Sequence, residues 1–222
     1  MRSELSSPRN GLVQRSISSL ARFARRTRYL YAACLLGIPA WGQVVGTDIC
    51  LPGQNGVMAC PCNNPPVGGG KGCDNYGPGS TGVSASLSAT GVASVTNGSD
   101  TLQFTAVNEN DTVLTVFAQS AATFAPGVSY GAGVSCLSGT PLVLYFGNAG
   151  SGGTLGQIAR PQPGVDPEVH TRSATLGDTL TAGQTRYYMA SYRDKNAAAA
   201  ANCNNPLWTF NSTQGIAIVW GP

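Results

Sequence analysis

Val83-Ser84-Ala85-Ser86-Leu87-Ser88-Ala89 is followed by Thr101-Leu102-Gln103-Phe104-Thr105-Ala106, and in both runs an apolar residue alternates with a hydroxyl or amide residue. Side chains of an extended chain point to opposite faces in turn, so this period of two predicts strands with one face against a core. Between the runs, Asn97-Gly98 offers the positive φ values of a tight hairpin, and Asn108-Glu109-Asn110-Asp111 suits a second turn closed by side-chain hydrogen bonds. Residues 113–118 and 142–146 are continuous apolar runs, as expected of strands buried on both faces. Residues 147–156, rich in Gly and Ser, read as a loop or an edge. In 186–193, Tyr188, Ala190 and Tyr192 alternate with Tyr187, Met189 and Ser191, and 216–220 supplies a last strand expected to pair with it. No segment carries a convincing helical period; the alanine run 197–201 is about one turn long and reads as a loop. This pattern predicts an all-β domain, an antiparallel β-sandwich or jelly roll, with a closed barrel as the alternative.

The first residues read differently. Arg22, Arg25, Arg26 and Arg28 precede the apolar stretch 29–40, which is too short to span a bilayer but suits a secretory signal peptide. Ala40-Trp41-Gly42 places small residues where a signal peptidase inspects them, so cleavage is expected before Gln43. A lipobox does not fit, because Tyr31 stands where Leu is wanted and Leu35 and Leu36 follow Cys34; Arg28 stands where a twin-arginine signal has an apolar residue. The expected organisation is 1–42 signal peptide, 43–82 a Cys-, Pro- and Gly-rich disulfide knot, and 83–222 the sandwich.

Removal of the leader takes Cys34 and leaves Cys50, Cys60, Cys62, Cys73, Cys136 and Cys203, an even set that points to an oxidising compartment. The location predicted is therefore secreted, periplasmic or cell-surface, with no membrane span once the leader is gone. The 50–82 segment has no apolar periodicity, so covalent links must fix it. Cys60-Pro61-Cys62 has a one-residue spacer, unlike the two-residue spacer of redox and zinc motifs. A Cys60–Cys62 bridge would be strained, which leaves two pairings of the four knot cysteines. Cys50 with Cys60 and Cys62 with Cys73 close the shorter consecutive loops, and Cys136 then pairs with Cys203.

Beyond Gly42 the cations are Lys71, Arg160, Arg172, Arg186, Arg193 and Lys195, against nine Asp and Glu, a net charge of about −3. Six scattered cations make no basic patch, which disfavours nucleic acid or an anionic membrane surface as partner.

Ala59-Cys60-Pro61-Cys62-Asn63-Asn64, Gly70-Lys71-Gly72-Cys73-Asp74-Asn75, Asp100-Thr101-Leu102, Arg186-Tyr187-Tyr188 with Tyr192-Arg193-Asp194, and Phe210-Asn211-Ser212 with Gly215 and Trp220 form a motif set spread over nearly the whole chain beyond the leader. In these motifs the chain resembles a family of exported, Cys-containing β-domains common in planctomycetes and related bacteria, departing from its pattern at Met189, Ser191 and Gln214. The resemblance implies export and domain extent, and carries no functional residue.

Candidate chemistry is sparse. His170 is the one histidine, and it lies in the Pro-rich stretch 161–172, where it reads as a surface residue rather than the base of a triad; no Gly-x-Ser-x-Gly elbow occurs. Glycoside hydrolysis needs two carboxylates, for which Glu109 and Glu168 are candidates, although both sit in what read as solvated places. Asp48, Asp74, Asp100 and Asp111 are loop oxygens without the spacing of a calcium motif. Arg193-Asp194 reads as a structural ion pair or as residues that hold a loop, and the Asn-x-Ser/Thr triplets at Asn97, Asn110 and Asn211 read as surface turns. Tyr188, Tyr192 and Trp220 read as core aromatics, which leaves Tyr187 and Trp208 as the exposed pair that could stack on a sugar. The expected role is a structural or adhesive envelope domain with no catalytic activity and no cofactor. Cell-surface polysaccharide or other envelope components are the expected partners. The alternatives are a carbohydrate-binding module and, behind it, a glycoside hydrolase.

Overall fold

The computed structural model describes residues 44–77, 81–151, 155–194, 203 and 209–222. The predicted signal peptide, the alanine run 197–201 and Trp208 lie outside these residues. With strands numbered along the chain, one antiparallel sheet holds β1 (Thr47–Ile49), β4 (Leu114–Ser120), β7 (Leu142–Asn148), β10 (Thr185–Arg193) and β11 (Phe210–Val219) in the order β1-β11-β10-β4-β7. A second holds β2 (Ser86–Thr90), β3 (Gln103–Asn110), β8 (Gly150–Ser151) and β9 (Leu155–Arg160) in the order β2-β3-β9-β8. β5 (Thr123–Tyr130) and β6 (Gly133–Leu137) form a hairpin of their own, and α1 (Val169–Thr175) is a short helix. The sheets face each other as a β-sandwich and do not close into a barrel.

Alternation decides what faces the core. Leu87 and Ala89 of β2, Phe104 and Ala106 of β3, Tyr188 and Ala190 of β10, and Ile216 and Ile218 of β11 all turn inward with Trp220. Phe104 lies 4.7 Å from the Tyr188 ring across the sheets, and the Trp220 indole N–H donates to the Tyr188 hydroxyl at 3.0 Å. Each large side chain buried in this way stabilises by about 1.5–3 kcal/mol. The predicted pairing of the last two long strands is present, with Thr185 opposite Val219 and Tyr188 opposite Ile216. Of the segment 147–156, Gly150–Ser151 form β8, the edge strand of the four-stranded sheet.

Three readings of local structure are corrected. Asn97-Gly98 is not a two-residue hairpin: it forms a turn, Ser99 N–H donating to Thr96 O at 3.0 Å, within the long connection from β2 to β3. Asn108–Asp111 does not close a hairpin either, because β3 and β4 belong to different sheets; Asn108, at φ 62, marks a bulge in β3 instead. β4 and β7 are apolar on both faces but buried on one, leaving Leu114, Val143 and Phe146 exposed at 43%, 47% and 63%. β7 is the edge strand of its sheet, and continuous apolar sequence alone does not tell an edge from a centre. The helix α1 departs from the expectation of no helix: seven residues, about two turns, following a Pro-rich stretch are too few to show a period.

The disulfides are also not the expected ones. Cys50 pairs with Cys136, Cys60 with Cys73 and Cys62 with Cys203. Loop length favoured neighbours, but the folded sheet brings distant cysteines into reach. β1 is laid on β11 with Thr47 opposite Ala217, which carries Cys50 toward the β5–β6 hairpin and Cys136. Two of the three bridges therefore tie the 44–77 segment to other parts of the domain.

Cys62–Cys203 spans a sequence separation of 141 and Cys60–Cys73 one of 13. In the loop-entropy account their removal costs about 5 and about 3 kcal/mol respectively. Denaturant unfolding of the paired Cys→Ser variants should show the larger loss for Cys62/Cys203; equal losses would contradict the pairing.

Candidate functional site

Tyr187 points away from the core, as alternation requires, and lines a groove of about 250 Å³ with Asp48, Leu51, Asn55, Thr123 and the Cys50–Cys136 bridge. Four separate segments meet there: β1 with the chain after it, the start of β5, Cys136 of β6 and Tyr187 near the start of β10. The wall combines an aromatic ring and aliphatic carbon with a carboxylate, an amide and a hydroxyl, the mixture that grips a polyol by stacking and hydrogen bonds. Its acid is held in place. Gln214, buried within β11, donates to Asp48 Oδ1 at 3.2 Å and is itself fixed by the Leu87 N–H at 3.1 Å and the Leu87 carbonyl at 2.7 Å. Phe124, 49% exposed, sits in the chain between the groove residues Thr123 and Ala125. Sequence reasoning selected Tyr187 by alternation but missed Asp48 and Asn55, because nothing local links them to it. Trp208 is outside the described residues.

His170 belongs to a second cluster. It starts α1 rather than a surface loop, its side chain is 11% exposed, and the reading of it as a surface residue is corrected. Its backbone N–H donates to Asp100 Oδ2 at 2.9 Å, its Nδ1 lies 3.3 Å from the same oxygen and 3.4 Å from Glu168 Oε2, and its Nε2 lies 2.8 Å from Asn97 Oδ1. The other oxygen of Asp100 accepts from the Leu102 N–H at 3.0 Å. Burial raises the Asp100 pKa, and the hydrogen bonds from His170 and Leu102 oppose that rise. Asp100, Asp166 and Glu168 line one cavity of about 270 Å³. Asp166 is engaged by the Arg160 guanidinium at 3.1 Å and the Gln162 N–H at 2.7 Å. All three carboxylates thus brace backbone, Glu168 through the Gly98 N–H at 3.3 Å.

Glu109 is the largest departure from expectation. It is fully buried, not solvated in a turn. The bulge at Asn108 is the cause: one extra residue shifts the register between Val107 and Glu109 and reverses which side chains face inward. Thr115 of the opposite sheet donates to Glu109 Oε2, while Oε1 has no hydrogen-bond partner among the described residues. Burial pushes the Glu109 carboxyl up to about 8, against the pull of the Thr115 hydrogen bond. Beside it, the Tyr192 hydroxyl donates to Asn75 Oδ1, and Asn75 Nδ2 donates to the Asn108 carbonyl at 2.8 Å. Asp194 accepts from the Tyr76 N–H and Asn110 Nδ2, both at 3.0 Å, and from Asn211 Nδ2 at 3.3 Å. Burial raises the Asp194 pKa as well. This hub ties the 44–77 segment to β3, β10 and β11; no cavity opens onto it among those described.

Arg193 and Asp194 therefore do not pair with each other. Arg193 lies 4.3 Å over the Phe210 ring and donates to Thr209, and Asp194 holds the hub. Asn110 and Asn211 are buried, so of the three triplets only Asn97 is at the surface. Asp74 accepts the backbone N–H groups of Asn75 and Gly82 at 2.8 and 2.9 Å. Among the described residues, no group of three or more His, Cys, Asp and Glu is arranged to hold a metal ion. Comparison with known families, with characterised proteins and with solved structures finds no match to the chain.

The folded chain keeps the Glu109 proton to about pH 8, whereas the unfolded chain releases it near 4.5. Its contribution to stability is complete below pH 4.5 and is lost as pH rises through 8, at up to about 1.4 kcal/mol per pH unit. Glu109→Gln has no such proton to lose, so its stability relative to the wild type should grow steadily from pH 5 to 8 in thermal or denaturant unfolding. A pH-independent difference would show that Glu109 is not buried as a neutral acid.

Proposed function

We propose that the chain is an exported, non-enzymatic domain of the envelope or extracellular space with a structural or adhesive role. The observation that carries this reading is the covalent framework: three disulfides, two of them non-local, belong to an oxidising environment and to a domain that must keep its shape outside the cell. The carboxylates favour the same reading. Asp100 and Asp166, the partners that Glu168 would need for glycoside hydrolysis, are occupied by backbone and guanidinium donors. The single histidine is clasped between Asp100, Glu168 and Asn97. Kinship with the exported planctomycete-type β-domains is part of the same proposal.

A second, narrower reading is favoured by the Tyr187 groove: the adhesive contact is with carbohydrate. A sugar ring would stack on Tyr187 while Asp48, Asn55 and Thr123 take its hydroxyls. The volume is at the small end for ligand pockets, which suits one ring of an extended polymer better than a large free ligand.

A screen of the protein against surface and plant polysaccharides tests both readings. Selective binding weakened about tenfold or more by Tyr187→Ala, and largely kept by Tyr187→Phe, is the result expected of the groove. Silence across the panel would discard the carbohydrate reading and leave the structural one, and turnover of any polymer would overturn the non-enzymatic proposal.

A further inference from the structure

The turn at Asn97-Gly98 meets polar side chains from the start of α1. Asn97 and Gly98 are exposed, and a side chain built at Gly98 would meet nothing within 4 Å. Glu168 Oε2 accepts the Gly98 N–H at 3.3 Å. His170 Nε2 lies 2.8 Å from Asn97 Oδ1, and Thr171 Oγ1 is 3.2 Å from the same ring nitrogen. The ring is fixed from behind by Asp100, itself buried. A carboxylate therefore holds the backbone N–H that follows an asparagine, and an imidazole nitrogen holds that asparagine's side-chain oxygen.

We propose that Asn97-Gly98 is a self-modifying site, at which Glu168 and His170 promote conversion of Asn97 to aspartate and isoaspartate through a cyclic imide. The Gly98 nitrogen gives its proton to Glu168 and bonds to Asn97 Cγ. With protons on both ring nitrogens, Nδ1–H turned to Asp100 and Glu168, His170 donates its Nε2–H to Oδ1, where negative charge gathers in the tetrahedral intermediate. The Cγ–Nδ2 bond then breaks, Glu168 returns the proton to the departing nitrogen, and ammonia leaves. Water opens the imide at either carbonyl, giving an aspartyl or an isoaspartyl residue. The net change replaces an amide by a carboxylic acid, with no oxidant or reductant required. Glycine is what exposes the attacking nitrogen, since any Cβ at position 98 would shield it. The product places a new carboxylate against His170, beside Asp100 and Glu168, and so changes the charge of this face after folding.

The chain carries its own control. Asn55-Gly56 is also an exposed turn, with Asn55 at φ 49 and Gly56 at φ 81, but among the described residues no side chain bonds to the Asn55 amide or the Gly56 N–H. Ageing the disulfide-bonded protein at neutral pH and mapping its peptides by mass would follow both sites by the gain of about one mass unit and by isoaspartate. Asn97 should convert about a hundredfold faster or more than Asn55 and than a synthetic peptide of residues 92–103, the low end of what a positioned acid or base supplies. Glu168→Gln and His170→Phe should each bring Asn97 down toward the Asn55 rate. An Asn97 that converts no faster than Asn55 or the peptide in the wild-type protein overturns the proposal without any variant. An Asn97 that stays fast in both variants overturns the roles given to Glu168 and His170.

Discussion

Two disulfides, Cys50–Cys136 and Cys62–Cys203, hold a segment that has no core of its own against a sandwich that does. Residues 50–77 are crowded with Pro, Gly and Asn, and few of their side chains bury apolar surface. Hydrophobic burial cannot offset the conformational entropy of ordering such a chain, so the constraint must be covalent. The site depends on that constraint. The pairing of β1 with β11 sets Asp48 on one side of the Tyr187 groove, the Cys50–Cys136 bridge holds Leu51 and Asn55 beside it, and Thr123 of the β5–β6 hairpin supplies part of the other side.

The same segment completes the buried polar hub. Asn75 accepts from the buried Tyr192 hydroxyl, and the Tyr76 N–H adds to the bonds that buried Asp194 takes from Asn110 and Asn211. Leaving such a group unsatisfied costs about 1–3 kcal/mol, more for a charged one. The hub adds to register: Asn75, Asn110 and Asn211 must meet to satisfy it, just as alternation must turn Phe104, Phe117 and Tyr188 inward. Glu109 is the exception within it, a carboxyl with one oxygen unpartnered, held neutral by burial at a strand bulge.

Strand identity and facing were legible in the sequence because they rest on a local period: Leu87, Phe104, Tyr188 and Tyr192 all face where alternation puts them, and Tyr187 faces outward. The disulfide partners were not legible, since shortness of loop is a statement about the unfolded chain and the pairing is decided by where β1 lands on β11. Glu109 was misplaced for a related reason: a single positive φ at Asn108 reverses the alternation, and an Asn-Glu-Asn-Asp run reads equally well as a turn. The groove was half legible. Its aromatic follows from one strand, whereas Asp48 and Asn55 enter it through tertiary contacts that no spacing reports. His170 looked solitary only because Asn97 and Asp100, which clasp it, are about seventy residues away, as their separations of 73 and 70 record.

The N-terminal segment is built into the sandwich rather than folded as a separate knot. Digestion of the oxidised protein without reductant, followed by mass identification of the linked peptides, tests it most directly. The account expects Cys50 joined to Cys136, Cys60 to Cys73 and Cys62 to Cys203. Linked peptides joining Cys50 to Cys60 and Cys62 to Cys73, with Cys136 on Cys203, would contradict it.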